Sequence, residues 1–217
     1  MEIFAAIDTE TTGLDINRHE MLSIAIVPLN TDFTISDIPE FTARIKAEHP
    51  EDASEEAMKI NNLDLTVGES RLSVQENIKI WMQDNNIDRI IPVAHNIEFD
   101  MNFINKTFPE LRKAFSRHGR DSMRLALTVN DIILRETGEV RFPSVSLQKV
   151  KEVLNVIGDV THNAFEDAKD AATVYRRLTE ILTQQCLLLL GDILAKMIVE
   201  SRNIDMKALW QYHANLE

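Results

Sequence analysis

The chain opens on an apolar run, Ile3-Phe4-Ala5-Ala6-Ile7, that stops at Asp8. A run apolar on both faces and ending in acids predicts a buried central strand. Glu20 to Leu29 (EMLSIAIVPL) and Glu40 to Ala47 (EFTARIKA) read as partner strands. Pro28 and Asn30 close the first of these, and Thr31-Asp32 offers a hairpin link. Arg89 to Ala94 (RIIPVA) is a fourth short strand, in which Pro92 predicts an edge or a bulge because proline brings no ladder donor.

Helical patterns fill most of the remainder. Ser54 to Leu63 is one, and Ser73 to Asn85 a second, with Ser73 as N-cap, Glu76 three residues later and Ile78, Trp81 and Met82 as the apolar stripe. His95-Asn96 introduces a helix from Ile97 to Phe108. Asp121 to Arg135 is mostly helical, Gly138 to Pro143 is loop, and Ser146 to Leu154 is a short helix. His162-Asn163 leads into a long helix from Ala164 to about Gln185, where Asn163 caps and Glu166 completes a capping box. A last helical segment covers Leu187 to Ser201. Strands first, then helices alternating with strands, predict an α/β domain with a mixed sheet.

Composition adds bounds. At 217 residues and 44 % hydrophobic, the chain suits one core with a small appended helix. There is no tandem repeat and no Gly/Ser linker. Residues 1–185 are expected to form the main domain. Residues 186–217 read as a helical extension, packed on that domain or at a partner interface such as a homodimer seam. Within that extension, Trp210-Gln211-Tyr212-His213 is a candidate anchor for a partner. A single cysteine, Cys186, permits no internal disulfide and points to a reducing compartment. The longest apolar patch, Cys186 to Leu190, is too short to span a bilayer, so no membrane partner and a cytoplasmic location are expected. Six glycines, none clustered, give no phosphate cradle of the nucleotide-binding kind.

A net charge of −12 argues at first against nucleic acid, which is bound mainly through Lys and Arg. Local fields decide binding, however, and acids gathered around divalent metals invert the local sign. One stretch is also strongly basic: Lys106, Arg112, Lys113, Arg117, Arg120 and Arg124. It reads equally as a solvated face or as a DNA-facing patch.

Asp8 and Glu10 carry the first chemical signal. A spacing of two puts both carboxylates on one side of an extended chain, at the end of a buried strand, where sites of α/β sheets gather. Two such acids repel and lose hydration unless a cation compensates, and hard oxygen ligands favour Mg²⁺ or Mn²⁺. Asp100 and Asp167 each follow a His-Asn-x-x-x-Asp pattern, at His95-Asn96 and His162-Asn163. In both, the Asn can cap a helix and the Asp falls in its first turns, where an acid is favoured by the macrodipole without any function. The two histidines are equivalent on spacing alone.

Asp8-Thr9-Glu10-Thr11-Thr12-Gly13-Leu14-Asp15 resembles the first exonuclease motif of the DnaQ-like DEDD superfamily. Ala94 to Asp100 resembles the second motif, and His162 to Ala168 is similar to the third in the histidine (DEDDh) branch. Order and intervals also fit, over roughly residues 3–182. The segment Glu56 to Leu63 resembles the short helix that follows the third strand in bacterial members. The resemblance implies an RNase H-like mixed sheet flanked by helices, with an extra C-terminal helix here. It implies 3′→5′ release of 5′-nucleoside monophosphates with two Mg²⁺ or Mn²⁺ ions. Asp8, Glu10 and Asp167 would hold the first ion, Asp8 would bridge to the second, Asp100 would act on the second, and His162 would be the general base. Thr9, Thr11, Thr12, Leu14, His95, Asn96 and Phe99 become candidate substrate contacts, with Leu14 a wedge and Phe99 a stacking surface. The expected substrate is a DNA 3′ end, single-stranded by preference. An exoribonuclease, a proofreading subunit bound to a DNA polymerase, and a catalytically dead scaffold are the alternatives. No motif ligand is missing, which disfavours the last.

Overall fold

The computed structural model describes residues 1–202. Residues 1–178 form one compact unit, and a second begins at Thr179. The sheet contains β1 (Glu2–Thr11), β2 (Met21–Leu29), β3 (Phe41–Arg44), β4 (Arg89–Ala94) and β5 (Arg120–Asp121), in the order β3-β2-β1-β4-β5. β1–β2 and β2–β3 pair antiparallel, while β1–β4 and β4–β5 pair parallel, so the sheet is mixed as expected. The helices are α1 (Glu55–Asn61), α2 (Arg71–Asp84), α3 (Ile97–Thr107), α4 (Ser122–Thr137), α5 (Leu147–Val153) and α6 (Ala164–Arg202).

Alternation along β1 divides the core. Ile3, Ala5 and Ile7 face a large cluster with Ile78, Trp81 and Met82 of α2 and Phe103 and Ile104 of α3. On the opposite face Ala6 meets Ala25, Val27 and Val93, and this layer is covered by Ala164, Ala168 and Ala172 of α6. The three alanines are spaced by four, so they form one stripe, and small residues on both sides let the helix approach the strands closely. Asp8 and Glu10 continue the Phe4-Ala6 face, so β1 delivers them to the α6 side.

Several local expectations change. The second α2 serine is not its cap: Ser70 Oγ accepts from Ser73 N–H, and the Ser73 hydroxyl turns to Glu69. β3 pairs only from Phe41 to Arg44. Pro28 lies inside β2, opposite Ala5, and the link to β3 runs through residues 30–40 with a bridge between Leu29 and Ile35, so Thr31-Asp32 is not a tight hairpin. Pro92 is on an interior strand, paired with Ala5. Ile90 N–H donates to Ala114 O (2.8 Å), and two residues on the missing donor of Pro92 points the same way. It falls between the bridge at Phe115 and the start of β5 pairing at Val93. The two helical segments expected around residue 186 are one continuous α6, in which Leu187, Leu190, Ile193 and Leu194 are exposed. The Trp210-Gln211-Tyr212-His213 anchor lies outside the described residues. No described helix is long and apolar enough to cross a membrane.

α5 and α6 are joined by an unusual pair. Lys151 is fully buried (1 % exposed), and its ammonium meets Asp170, which is 21 % exposed. Removing one partner strands the other, at ~3–5 kcal/mol for a fully buried pair. Because Asp170 keeps some water, Asp170→Ala should cost about 2 kcal/mol. In urea denaturation this appears as a lower midpoint with an unchanged slope. Lys151→Met, which strands only the partly solvated Asp170 and no fully buried charge, should cost less.

Candidate active site

Three elements bring the acids together. β1 carries Asp8 and Glu10, α3 carries Asp100, and the first turn of α6 carries Asp167. The β1–β2 register shifts between Glu10 and Thr11, a bulge that ends regular pairing just past the second acid. Thr9 points to the other face and donates its hydroxyl to Asp100 Oδ1 (2.8 Å), which fixes one oxygen of that buried carboxylate. Asp167 Oδ1 accepts from Thr161 N–H (3.1 Å) and Oγ1 (3.3 Å). Ligand atoms of Glu10, His162 and Asp167 all lie within 4.8 Å of one another.

The two His-Asn starts, equivalent in sequence, differ in space. Asn163 caps α6, its Oδ1 accepting from Phe165 N–H (3.1 Å) and Glu166 N–H (3.4 Å). Glu166 itself meets Lys169. Asn96 takes the left-handed conformation (φ 69°) and makes no side-chain cap; its N–H donates to Asp121 Oδ1 (3.2 Å). At the other His-Asn start the left-handed residue is instead His162 (φ 52°). The imidazole of His162 is exposed beside Glu10 and Asp167. His95 is occupied at both ring nitrogens, by Ser122 Oγ and Val145 O, each at 2.8 Å. Burial lowers its pKa, so the ring is neutral. The carbonyl requires an Nε2–H, while the Ser122 hydroxyl beside Nδ1 also donates to Ala94 O (3.3 Å).

A recess of about 220 Å³ is lined by all five of Asp8, Glu10, Asp100, His162 and Asp167. Thr9, His95, Asn96 and Phe99 line it as well. Thr11, Thr12 and Leu14 do not. Thr11 Oγ1 donates to Gly13 O (2.8 Å), and Thr12 Oγ1 accepts from Glu20 N–H (2.8 Å), so both hydroxyls serve the turn. Gly13 is required there: a Cβ would lie 2.5 Å from the His19 ring. Leu14 is 82 % exposed. Leu147 and Val160, which also line the recess, carry no sequence signal of their own. A second recess of about 430 Å³ adjoins Glu10 and His162 and includes Arg44 and Phe165. Arg44 Nε is buried and without a partner among the described residues.

Electrostatics mark the cluster as incomplete without cations. Burial pushes Asp8 far above the usual carboxylate range, and Asp100, Glu10 and Asp167 push it further. Glu10 is raised to about 7 by burial and then by Asp167 and Asp100. Asp100 is raised to about 7 by burial, against the opposing Thr9 hydrogen bond. Asp167 is raised by burial, opposed by Thr161 and by His162. An oxygen-rich donor set of this kind suits hard divalent ions.

Fold and cluster together define an exonuclease of the RNase H-like class. The structure of Exonuclease I from Methylocaldum szegediense superposes with a TM-score of 0.65 at 18 % identity, covering 83 % of this chain and 41 % of that one. The zinc-bound E. coli ExoI–ssDNA complex gives 0.62 at 17 %, covering 85 % and 43 %. The chain belongs to the RNase_T exonuclease family, whose model matches residues 5–175. It is also 26 % identical over 214 residues to the DNA polymerase III PolC-type of Thermotoga petrophila, covering 98 % of this chain and 14 % of that protein. The chain thus spans a small part of that relative's length.

The raised carboxylates set a pH dependence. Each binds its proton more tightly folded than unfolded, so without metal the folded state loses stability as pH rises from the ordinary carboxylate range through about 7. In chelator, the Tm should therefore fall between pH 5 and 8. Asp8→Asn should flatten that fall and raise the pH 8 Tm by about 2–4 °C, the equivalent of ~1 kcal/mol at this size. Mg²⁺ or Mn²⁺ should raise the Tm of the parent much more than that of the variant. Equal, pH-independent melts would show that the acids do not repel.

Proposed function

We propose that the protein is a 3′→5′ exonuclease of the DEDDh type that releases 5′-nucleoside monophosphates from DNA 3′ ends, single strands preferred. The observation that carries this reading is the convergence of Asp8, Glu10, Asp100 and Asp167 in one recess with an exposed imidazole, His162, beside two of them. The E. coli neighbour was captured with ssDNA, which supports the substrate class.

Asp8, Glu10 and Asp167 would hold one Mg²⁺ or Mn²⁺ ion, and Asp8 and Asp100 a second. Bound there, such ions supply Lewis-acid stabilisation of the attacking and leaving oxygens and lower the pKa of the attacking water. His162 accepts the proton from that water as its oxygen bonds to the terminal phosphorus and the bond to the 3′ oxygen breaks. The 3′ oxygen takes up a proton from solvent, so the shortened strand leaves with a 3′-hydroxyl. Exposure of the imidazole lets the proton pass on to solvent. The left-handed backbone at His162, uncommon outside glycine, sets the ring just ahead of the Asn163 cap. His95, held at both nitrogens, supports the β4–α3 corner and does no proton transfer.

A second reading, a proofreading module acting with a DNA polymerase, is supported by the match to the PolC-type polymerase. The free Cys186 fits a cytoplasmic setting in either case.

Chelator and Asp8→Ala should each abolish hydrolysis. His162→Ala should lower kcat by ~10²–10⁴, whereas His95→Ala should lower stability with kcat per folded molecule nearly kept. A kcat collapse in His95→Ala alone would reverse the assignment. A panel of 3′-labelled single- and double-stranded DNA and RNA, each with Mg²⁺ and Mn²⁺, decides the substrate. RNA cleaved better than DNA would favour the exoribonuclease reading.

A further inference from the structure

Four of the six cations of the basic stretch gather in one place, while Lys106 donates to the carbonyls of Ile16 and His19 and Arg120 lies over the Phe4 ring. Arg112, Lys113, Arg117 and Arg124, with Arg89 from β4, line one groove of about 1000 Å³ along α3. Only Glu98 and Asp121 oppose them in its lining. Arg124 pairs with both of these acids (3.0 and 3.5 Å), and Arg89 lies 3.6 Å from Glu2. Arg112, Lys113 and Arg117 are exposed and have no acidic partner among the described residues. Glu110, the nearest acid in sequence, is committed to Lys79 (2.8 Å). Three uncompensated cations in one recess are notable in a chain of net charge −12.

The groove is also stiff. Ile90 N–H donates to Ala114 O (2.8 Å) and Ser116 N–H donates to Ile90 O (2.7 Å), which stitches the cation-bearing segment to β4. A Cβ at Gly119 would lie 2.1 Å from Ile97 Cδ1 and 2.9 Å from Pro92 O, so that segment is pressed against the start of α3. Ile97, Met101 and Phe115 supply an apolar floor.

The groove adjoins the catalytic recess. Asn96 lines the recess, Ile97 lines the groove, and the Asn96 N–H donates to Asp121 in the groove wall. Phe99 and Asp100 face one flank of α3 while Glu98 and Met101 face the other, about one helix diameter (~10 Å) away. In a chain of net charge −12, a polyanion is favoured where unpaired cations gather.

We propose that this groove binds the sugar–phosphate backbone of the DNA strand upstream of the 3′ end held in the catalytic recess, without reading sequence. The proposal rests on the exonuclease reading for its polarity. Fixed cations take the phosphates, and the apolar floor accommodates sugars.

The test is the triple variant Arg112→Ala/Lys113→Ala/Arg117→Ala, compared with the parent on a single-stranded 20-mer and a 3-mer. Binding is read in chelator by anisotropy of a 5′-labelled strand, and turnover is read with Mn²⁺. Affinity for the 20-mer should fall about tenfold or more, and the slope of log K against log salt should shrink by about 2 (~0.7 for each phosphate no longer neutralised). KM for the 20-mer should rise with kcat retained, and the 3-mer should be cut as by the parent. Unchanged 20-mer affinity, or an equal loss on the 3-mer, overturns the proposal. Retained 20-mer binding with lost binding of polyglutamate would assign the groove to an acidic polypeptide and overturn it equally. If the parent binds the 20-mer through these cations but releases no mononucleotide, the groove stands and the exonuclease reading falls.

Discussion

The close seating of α6 on the sheet, alanine against alanine, is the contact on which the site depends. Ala164, Ala168 and Ala172 lie over Ala6, Ala25 and Val93. With no bulk between them, helix backbone and strand come near enough for Asp167 to share a recess with Asp8 and Glu10. Apolar burial on both faces of β1 opposes the repulsion of four clustered acids, of which Asp100 and Asp167 are buried and Asp8 and Glu10 partly so, a charge arrangement that is unfavourable without compensating cations. Lys151 and Asp170 add a second tie between α5 and α6, on either side of the loop that carries His162.

Sign and placement of charge are sorted with equal care. Acids occupy the recess at the end of β1, and cations line the far flank of α3. The same helix therefore separates a cluster of acids from a cluster of cations. The overall excess of negative charge describes neither, because a field is felt locally and screened within about 10 Å in salt.

What could be read from the sequence was what is local. β1, β2 and β4 are apolar runs, and each forms where its run lies. β5 is two residues long and exists only because β4 offers it an edge, so no window of sequence shows it. Ser73 and Ser70 both offer a capping hydroxyl; the helix begins one turn earlier because Ser70 finds the Ser73 N–H. Pro92 predicts an edge or a bulge only while the side its missing donor faces is unknown. At the site, the five motif residues come from three separate stretches of chain and share one recess. The two histidines could not be told apart by spacing, since what separates them is tertiary: Ser122 and Val145 engage one ring and leave the other open. Thr11 and Thr12 are named by their motif alone, and in the fold their hydroxyls bond within the turn.

The order of the acids along the chain has a consequence during synthesis. Asp8 and Glu10 emerge from the ribosome before Asp100, and Asp167 follows all three. Until the alanine stripe of α6 docks, the acids on β1 lack the ligand that completes their cluster and stand without the imidazole beside it. A nascent chain, or a fragment cut before α6, thus carries an incomplete set of ligands next to the very nucleic acids on which it is being made. The acids on β1 gain their full set of neighbours only when α6 docks.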